Sequence, residues 1–314
     1  MSSPFLPATS IGAYSRLAGL QEEQEMSNGR ILKGKMKNGP VHVISAHSPL
    51  SALLAEEAGF DGIWASGFEL SALYGLPDAS LVSMTQHLEM TRAMAERVTL
   101  PIVADIDTGF GNAINVIYAV QQYERAGAAA VVIEDKTFPK VTSLIAGGRQ
   151  ELVPIREFQG KIEAAIKTRR DPDFLVIARV EALIAGLGEA EALKRAAAYE
   201  EAHADMILIH SKMTTPTEVE SFVRAWKGTI PIVVVPTAYP QMTAERIEAL
   251  GKIRMIIYGN HAIRAAVAGM KEVFARIRRD GGIQNANQQI VSVEEIFRLQ
   301  QMNALKANER LYMR

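Results

Sequence analysis

Short apolar runs rich in valine and isoleucine recur along the chain at 41–45, 62–66, 101–104, 130–134, 174–179, 206–210, 232–236 and 255–259. Each is followed by polar or small residues and then by a helical pattern. Continuous apolar character over four to six residues predicts strands buried on both faces, as in a parallel sheet, with the intervening helices as crossovers. Eight such units in 314 residues predict an α/β fold of (β/α)8 TIM-barrel type rather than an open doubly wound sheet. In a barrel of this kind functional groups collect at the C-terminal strand ends, which here carry Ser66, Asp105, Asp107, Glu134, Arg179, His210 and Asn260.

The flanks of this pattern define three segments. Residues 1–25 read as a loosely ordered extension; they lack a signal peptide's basic start and apolar middle, and Glu22, Glu23 and Glu25 argue against a transit peptide. The catalytic barrel is expected over 26–279, opened by a short helix at 26–38 that stops at Asn38-Gly39-Pro40 and is placed to plug the barrel bottom. A polar break at Asp280-Gly281-Gly282 begins 280–314, a linker and one amphipathic helix over 293–312 that packs on its own barrel or on a partner's.

Composition narrows the function. A 48% hydrophobic content supports a large core, and a net charge of -1 gives no electrostatic footprint for nucleic acid or an anionic membrane. The absence of cysteine excludes disulfides and thiol nucleophiles and is compatible with a cytoplasmic location. No apolar run approaches the roughly 18 residues that a membrane span requires.

Candidate chemistry centres on Asp105-Ile106-Asp107, two carboxylates on one face of a strand end, followed by a turn into a helix capped by Asn112. Taken alone, the pair reads either as a metal site or as carboxylates capping the turn. Glu134, from the neighbouring strand, adds a third carboxylate, and an all-oxygen set suits Mg2+ or Mn2+. Arg179 leaves a buried strand and needs an anion: Glu181, a metal carboxylate, or a substrate carboxylate. Ser66-Gly67 offers a small nest of donors or an ordinary turn. His47 is expected to cap the helix at 48–58, and Asp78 sits in a loop over the mouth. The connection after the fourth strand, about 18 residues with Lys136, Lys140 and Arg149, is long enough for a lid over an anionic substrate. Gly109-Phe110-Gly111 is not a dinucleotide fingerprint, because Ile114 stands where the third glycine belongs.

Together, Trp64-Ala-Ser-Gly67, Asp105-Ile-Asp107-Thr-Gly-Phe-Gly-Asn112, Glu134-Asp-Lys-Thr-Phe-Pro-Lys140, Ala178-Arg179-Val-Glu181-Ala182 and His210-Ser-Lys212 resemble the phosphoenolpyruvate mutase/isocitrate lyase superfamily, and within it the members that hydrolyse phosphonopyruvate. The likeness spans about 28–310. Lyases of that superfamily place a general-acid cysteine in the fourth-strand loop, where this chain has Pro139-Lys140-Val141-Thr142-Ser143. Mutases carry Asn where Thr142 stands. The resemblance implies Mg2+ as cofactor, with Mn2+ or Co2+ as substitutes, ligated directly by Asp105 and through waters by Asp107 and Glu134. It implies a substrate grip by Ser66, Gly67, Phe68, Arg179 and His210, a lid carrying Lys140, Thr142 and Ser143, and Asp78 near the transferring group. The implied reaction is hydrolysis of the phosphorus-carbon bond of 3-phosphonopyruvate to pyruvate and phosphate. The alternatives are the mutase reaction, a decarboxylase or lyase acting on oxaloacetate-like acids, and a catalytically silent anion-binding barrel. The superfamily further implies a homo-oligomer, a dimer of dimers with exchanged terminal helices; the near-zero net charge and the lack of a long apolar run predict no partnership with nucleic acid or membrane.

Overall fold

The computed structural model describes residues 26–313 except 144, 146 and 149. The expected extension at 1–25 and Arg149 lie outside the described residues. Eight parallel strands, β1 (Val41–Ala46), β2 (Gly62–Ala65), β3 (Ile102–Asp105), β4 (Ala128–Glu134), β5 (Leu175–Val180), β6 (Met206–Ile209), β7 (Ile232–Val234) and β8 (Ile253–Tyr258), close into a barrel in sequence order. β8 pairs with β1 to shut the ring, His42 standing opposite Ile256. The apolar runs therefore mark the strands to within a few residues.

Two cores follow from strands buried on both faces. Val43, Trp64, Val103, Val132, Ile177, Leu208, Val233 and Ile257 fill the interior. The outward residues pack under the helix ring, where Val116, Tyr123, Phe158, Tyr199 and Phe222 cover the sheet. The expected plug is present as a helix over Asn28–Met36, capped by Ser27, whose Leu32 is fully buried in the interior cluster. Gly29 lets that helix approach β5, since a Cβ there would stand 2.2 Å from the Asp173 carbonyl oxygen.

Three local expectations are corrected. His47 does not cap the following helix: Ser48 does, in a capping box with Ser51, and the His47 ring turns to Glu69 instead. Gly67 opens not a bare turn but a seven-residue helix, Gly67–Leu73, capped by Ser66. The C-terminal segment is two helices, Val293–Leu299 and Met302–Tyr312, because Gln301 adopts a left-handed backbone (φ 57°) that interrupts the α-helical ladder. The first of these lies on its own barrel: Arg298 forks the Glu57 carboxylate at 2.7 and 2.9 Å, and Leu299 is buried.

Candidate active site

The C-terminal strand ends and the connection after β4 enclose a cavity of about 70 Å³ lined by Trp64, Ser66, Phe68, Asp78, Asp105 and Lys140, and by Thr142, Ser143, Arg179, His210, Val235, Thr237, Gly259 and Asn260. That volume is well below the roughly 300–1,000 Å³ of a drug-sized ligand pocket, as a small ligand would need. Every cavity-facing residue expected from the sequence is present in this wall except Gly67, Asp107 and Glu134, which stand directly behind it.

Asp105 ends β3 and Asp107 follows in a left-handed backbone conformation (φ 51°), so strand alternation is not what brings the two together. The turn itself does, with the Asp107 N–H donating to Asp105 Oδ1 at 3.3 Å. Glu134 joins them through its own N–H, which donates to the Asp107 carbonyl at 2.8 Å. Gly67 packs against the pair from β2: a Cβ there would stand 3.1 Å from Asp107 Oδ1 and 3.6 Å from Asp105 Oδ2.

Cations face this corner from the other strands. Lys140 is buried, its ammonium 2.6 Å from Asp107 and 2.9 Å from Asp78. Burial works against its charge, but Asp107 and Asp78 hold its pKa well above the usual lysine value. Burial likewise works to raise Asp107, and Lys140 outweighs it, leaving that carboxyl below its ordinary value; Ser80 adds a hydrogen bond of 3.0 Å. Asp105 is raised by burial that Lys140 only partly offsets.

Arg179 lies 2.5 Å from Glu181 and 3.5 Å from Glu134, so the arginine expected to need an anion has both kinds of carboxylate available. Glu181 is fully buried and also meets Lys136 at 3.0 Å; against the burial penalty, Arg179 and Lys136 hold its carboxyl far below the usual range. His210 is pushed down to about 4 by burial and by the neighbouring Arg179, and is neutral at physiological pH. Its Nδ1 makes no hydrogen bond among the described residues. A neutral imidazole with an unengaged Nδ1 can give or take a hydrogen bond but brings no positive charge.

The β4 connection lies across the mouth. Lys136 pairs with Leu152 in an isolated antiparallel bridge, and the Ser143 hydroxyl accepts from Lys136 at 2.6 Å and Arg179 at 2.9 Å while donating to Glu181 at 2.7 Å.

The donor set accommodates a divalent cation. Five carboxylates (Asp78, Asp105, Asp107, Glu134, Glu181) face three cations (Lys136, Lys140, Arg179) in a buried space. Among the described residues Glu134 Oε1 is buried without a hydrogen-bond partner, and burial lifts the Glu134 carboxyl to about 7 despite Lys136 and Arg179. Among the described residues no three side chains close into a direct cage. The arrangement fits an ion that takes one or two carboxylates and leaves its other positions to water and substrate, as Mg2+ does.

Sequence reading missed several wall residues. Thr237 and Gly259 follow β7 and β8, and their strand-end position was the available signal. Asn260, one of the strand-end residues expected at the mouth, does line the cavity; it occupies the N-cap of the helix His261–Asp280 without making a capping bond. Ser80, reaching Asp107 from a left-handed turn position, carried no signal.

A family model described as phosphoenolpyruvate phosphomutase matches residues 32–278. A phosphonopyruvate hydrolase of Variovorax sp. (strain Pal2) is 59% identical over 290 residues, 92% of this chain and 100% of the relative. A phosphoenolpyruvate phosphomutase of Tetrahymena pyriformis is 45% identical over 271 residues, 86% of this chain and 90% of that protein. The crystal structure of a phosphonopyruvate hydrolase complexed with oxalate and Mg2+ matches with a TM-score of 0.87 at 57% identity, covering 92% of this chain and 100% of that one. The chain thus belongs to the phosphoenolpyruvate phosphomutase family, within the phosphoenolpyruvate mutase/isocitrate lyase superfamily.

Proposed function

We propose that the protein is a Mg2+-dependent phosphonopyruvate hydrolase, cleaving the phosphorus-carbon bond of 3-phosphonopyruvate to give pyruvate and phosphate. The observation that carries the reading is Thr142, Lys140 and Ser143 on one closed segment, lining the same cavity as Asp105, Arg179 and His210. Likeness to the hydrolase of Variovorax over all of that relative's length supports it.

Asp105 would ligate the Mg2+ directly, with Asp107 and Glu134 in its outer sphere. Bound there, the ion supplies Lewis acidity that polarises the substrate's keto oxygen. The chain's own groups do the rest. Arg179, clamped by Glu181 and Ser143, presents fixed positive charge to the anionic substrate and to the enolate that forms. Lys140 charges the lid side, and neutral His210 adds a hydrogen bond. The Ser66–Phe68 segment binds an anionic end of the substrate. A water attacks phosphorus, the phosphorus-carbon bond breaks, and its electron pair leaves as the pyruvate enolate, which a proton converts to pyruvate. Thr142 lines the cavity with a hydroxyl that both donates and accepts, the property needed to aim that water. Asp78 keeps Lys140 in place from the other side.

Incubation with 3-phosphonopyruvate and Mg2+, followed by phosphorus NMR and a coupled pyruvate assay, tests the proposal. Equal yields of phosphate and pyruvate are expected. Phosphoenolpyruvate as product would establish the mutase reaction instead.

We further propose a cytoplasmic homo-oligomer, a dimer of dimers in which the helix His261–Asp280 is exchanged. Only Ile263 of its 20 residues is buried, while Val267, Met270 and Phe274 face solvent. A groove of about 640 Å³ beside β1 and β8, lined by His42, Ile44, Phe60 and Tyr258, suits a partner's helix. No helix among the described residues is long and apolar enough to cross a membrane. Light scattering that gives a monomer mass would sink the assembly.

A further inference from the structure

Glu69 is a fully buried carboxylate that does not line the cavity. It lies in the first turn of the helix Gly67–Leu73, and both its oxygens are engaged: Ser45 Oγ donates to Oε1 at 2.5 Å, and His47 Nδ1 donates to Oε2 at 2.7 Å. A buried carboxylate is costly to keep unless it is hydrogen bonded, and removing its partners exposes that cost. Here the bonds fasten the segment after β2 to the end of β1, since Ser45 lies in β1 and His47 follows it directly.

The same residue fixes the orientation of Ser66. The Glu69 N–H donates to Ser66 Oγ at 3.1 Å, occupying an acceptor site on the hydroxyl and leaving its proton to donate elsewhere; Ser66 lines the cavity. Between the two sits Gly67, so close to the Asp105 and Asp107 carboxylates that a Cβ there would stand 3.1 Å from one and 3.6 Å from the other. Glycine, having no Cβ, is what lets the segment sit this close, and a shift of the segment away from the corner widens the gap between its donors and those carboxylates.

From this geometry we infer that Glu69, held by Ser45 and His47, is a positioning residue that sets the distance between the Ser66–Phe68 substrate grip and the Asp105–Asp107 corner. The inference rests on the proposed role of Ser66 in binding the substrate. Errors of about 1 Å in such placement cost up to about 10²-fold in rate or affinity.

The test is a cycle of Ser66→Ala, Glu69→Ala and the double variant, with Glu69→Gln as the conservative replacement and oxalate binding in the presence of Mg2+ as a readout independent of turnover. Glu69→Ala is expected to raise KM and the oxalate Kd about tenfold with kcat changed less than about threefold, and Glu69→Gln to stay within about twofold of the parent. The double variant should be no worse than the more impaired single one, the non-additivity of groups acting through each other. Should Glu69→Ala not fold, Ser45→Ala removes one anchor only and is expected to raise KM about threefold. Unchanged KM in the Glu69 or Ser45 variants, with Ser66→Ala impaired, overturns the inference and leaves the substrate reading standing. Additive losses also overturn it. A silent Ser66→Ala overturns both.

Discussion

The Ser143 hydroxyl donates to Glu181 at 2.7 Å, so a residue of the β4 connection is fastened to a carboxylate rooted beyond β5. With Lys136 and Arg179 as its donors, that one hydroxyl serves three charged groups.

Replacing Ser143 by alanine removes an acceptor for two cations and a donor for a buried carboxylate. The expected outcome is a loss of about 1–3 kcal/mol in stability together with a rise in KM, since the segment that completes the cavity loses its fastening. Denaturant unfolding and steady-state kinetics on the same preparation check it.

Lys140→Met leaves Asp78 and Asp107 facing each other without their cation. We expect turnover to fall by about 10²–10³-fold, the scale seen when one preorganised electrostatic group is removed from a reaction centre. Half-saturation by Mg2+ should fall rather than rise, because the ion no longer competes with an ammonium for Asp107. Metal titration of the variant decides this.

Thr142→Asn is expected to suppress hydrolysis by at least about tenfold while KM changes less than about threefold, as befits a group acting on the attacking water rather than on binding. A large rise in KM with unaltered kcat would count against that role. Kinetics with both products quantified are the measurement.

His210 is neutral in the folded protein down to about pH 4, whereas the unfolded chain protonates an ordinary histidine near 6.5. Between those values the unfolded state binds more protons, so this residue's contribution is complete above about pH 6.5 and is lost as pH falls toward 4. The parent should therefore lose more stability than His210→Gln across that window, by on the order of 3 kcal/mol. Thermal unfolding at stepped pH, in which the two curves fail to converge on acidification, would refute it.

Chelation should abolish turnover, and Mg2+, Mn2+ or Co2+ should restore it. Asp105→Ala should not be rescued at metal concentrations that saturate the parent. Calorimetric metal titration with oxalate present separates lost binding from lost chemistry.

Much of this was readable from the chain, and the limits have physical causes. Parallel strands are buried on both faces, so their apolar runs are local signals, and the eight strand ends followed from them. Asp105 and Asp107 lie together, but not through the strand alternation expected: the strand stops at Asp105 and the left-handed turn at Asp107 folds the second carboxylate back. Groups joined by long-range contact were less legible. Lys140 meets Asp78 and Ser80 only because a connection after β4 folds over one after β2, and no spacing encodes that. Glu69 follows a segment that read as a turn, and its two hydrogen-bond partners, Ser45 and His47, come from β1 and the residue just after it, which no local pattern announces. Gln301 breaks the last helix with neither glycine nor proline to announce it.

Leu32 seals one end of the barrel and the β4 connection covers the other. A molecule in the cavity would then pass by a doorway at the β4 connection, and under the proposed reaction one substrate enters by it and two products leave by it. Pyruvate and phosphate would then compete for the same passage. Their order of departure, and the inhibition each exerts on the next turnover, would be set by how often that doorway opens rather than by how tightly either is held.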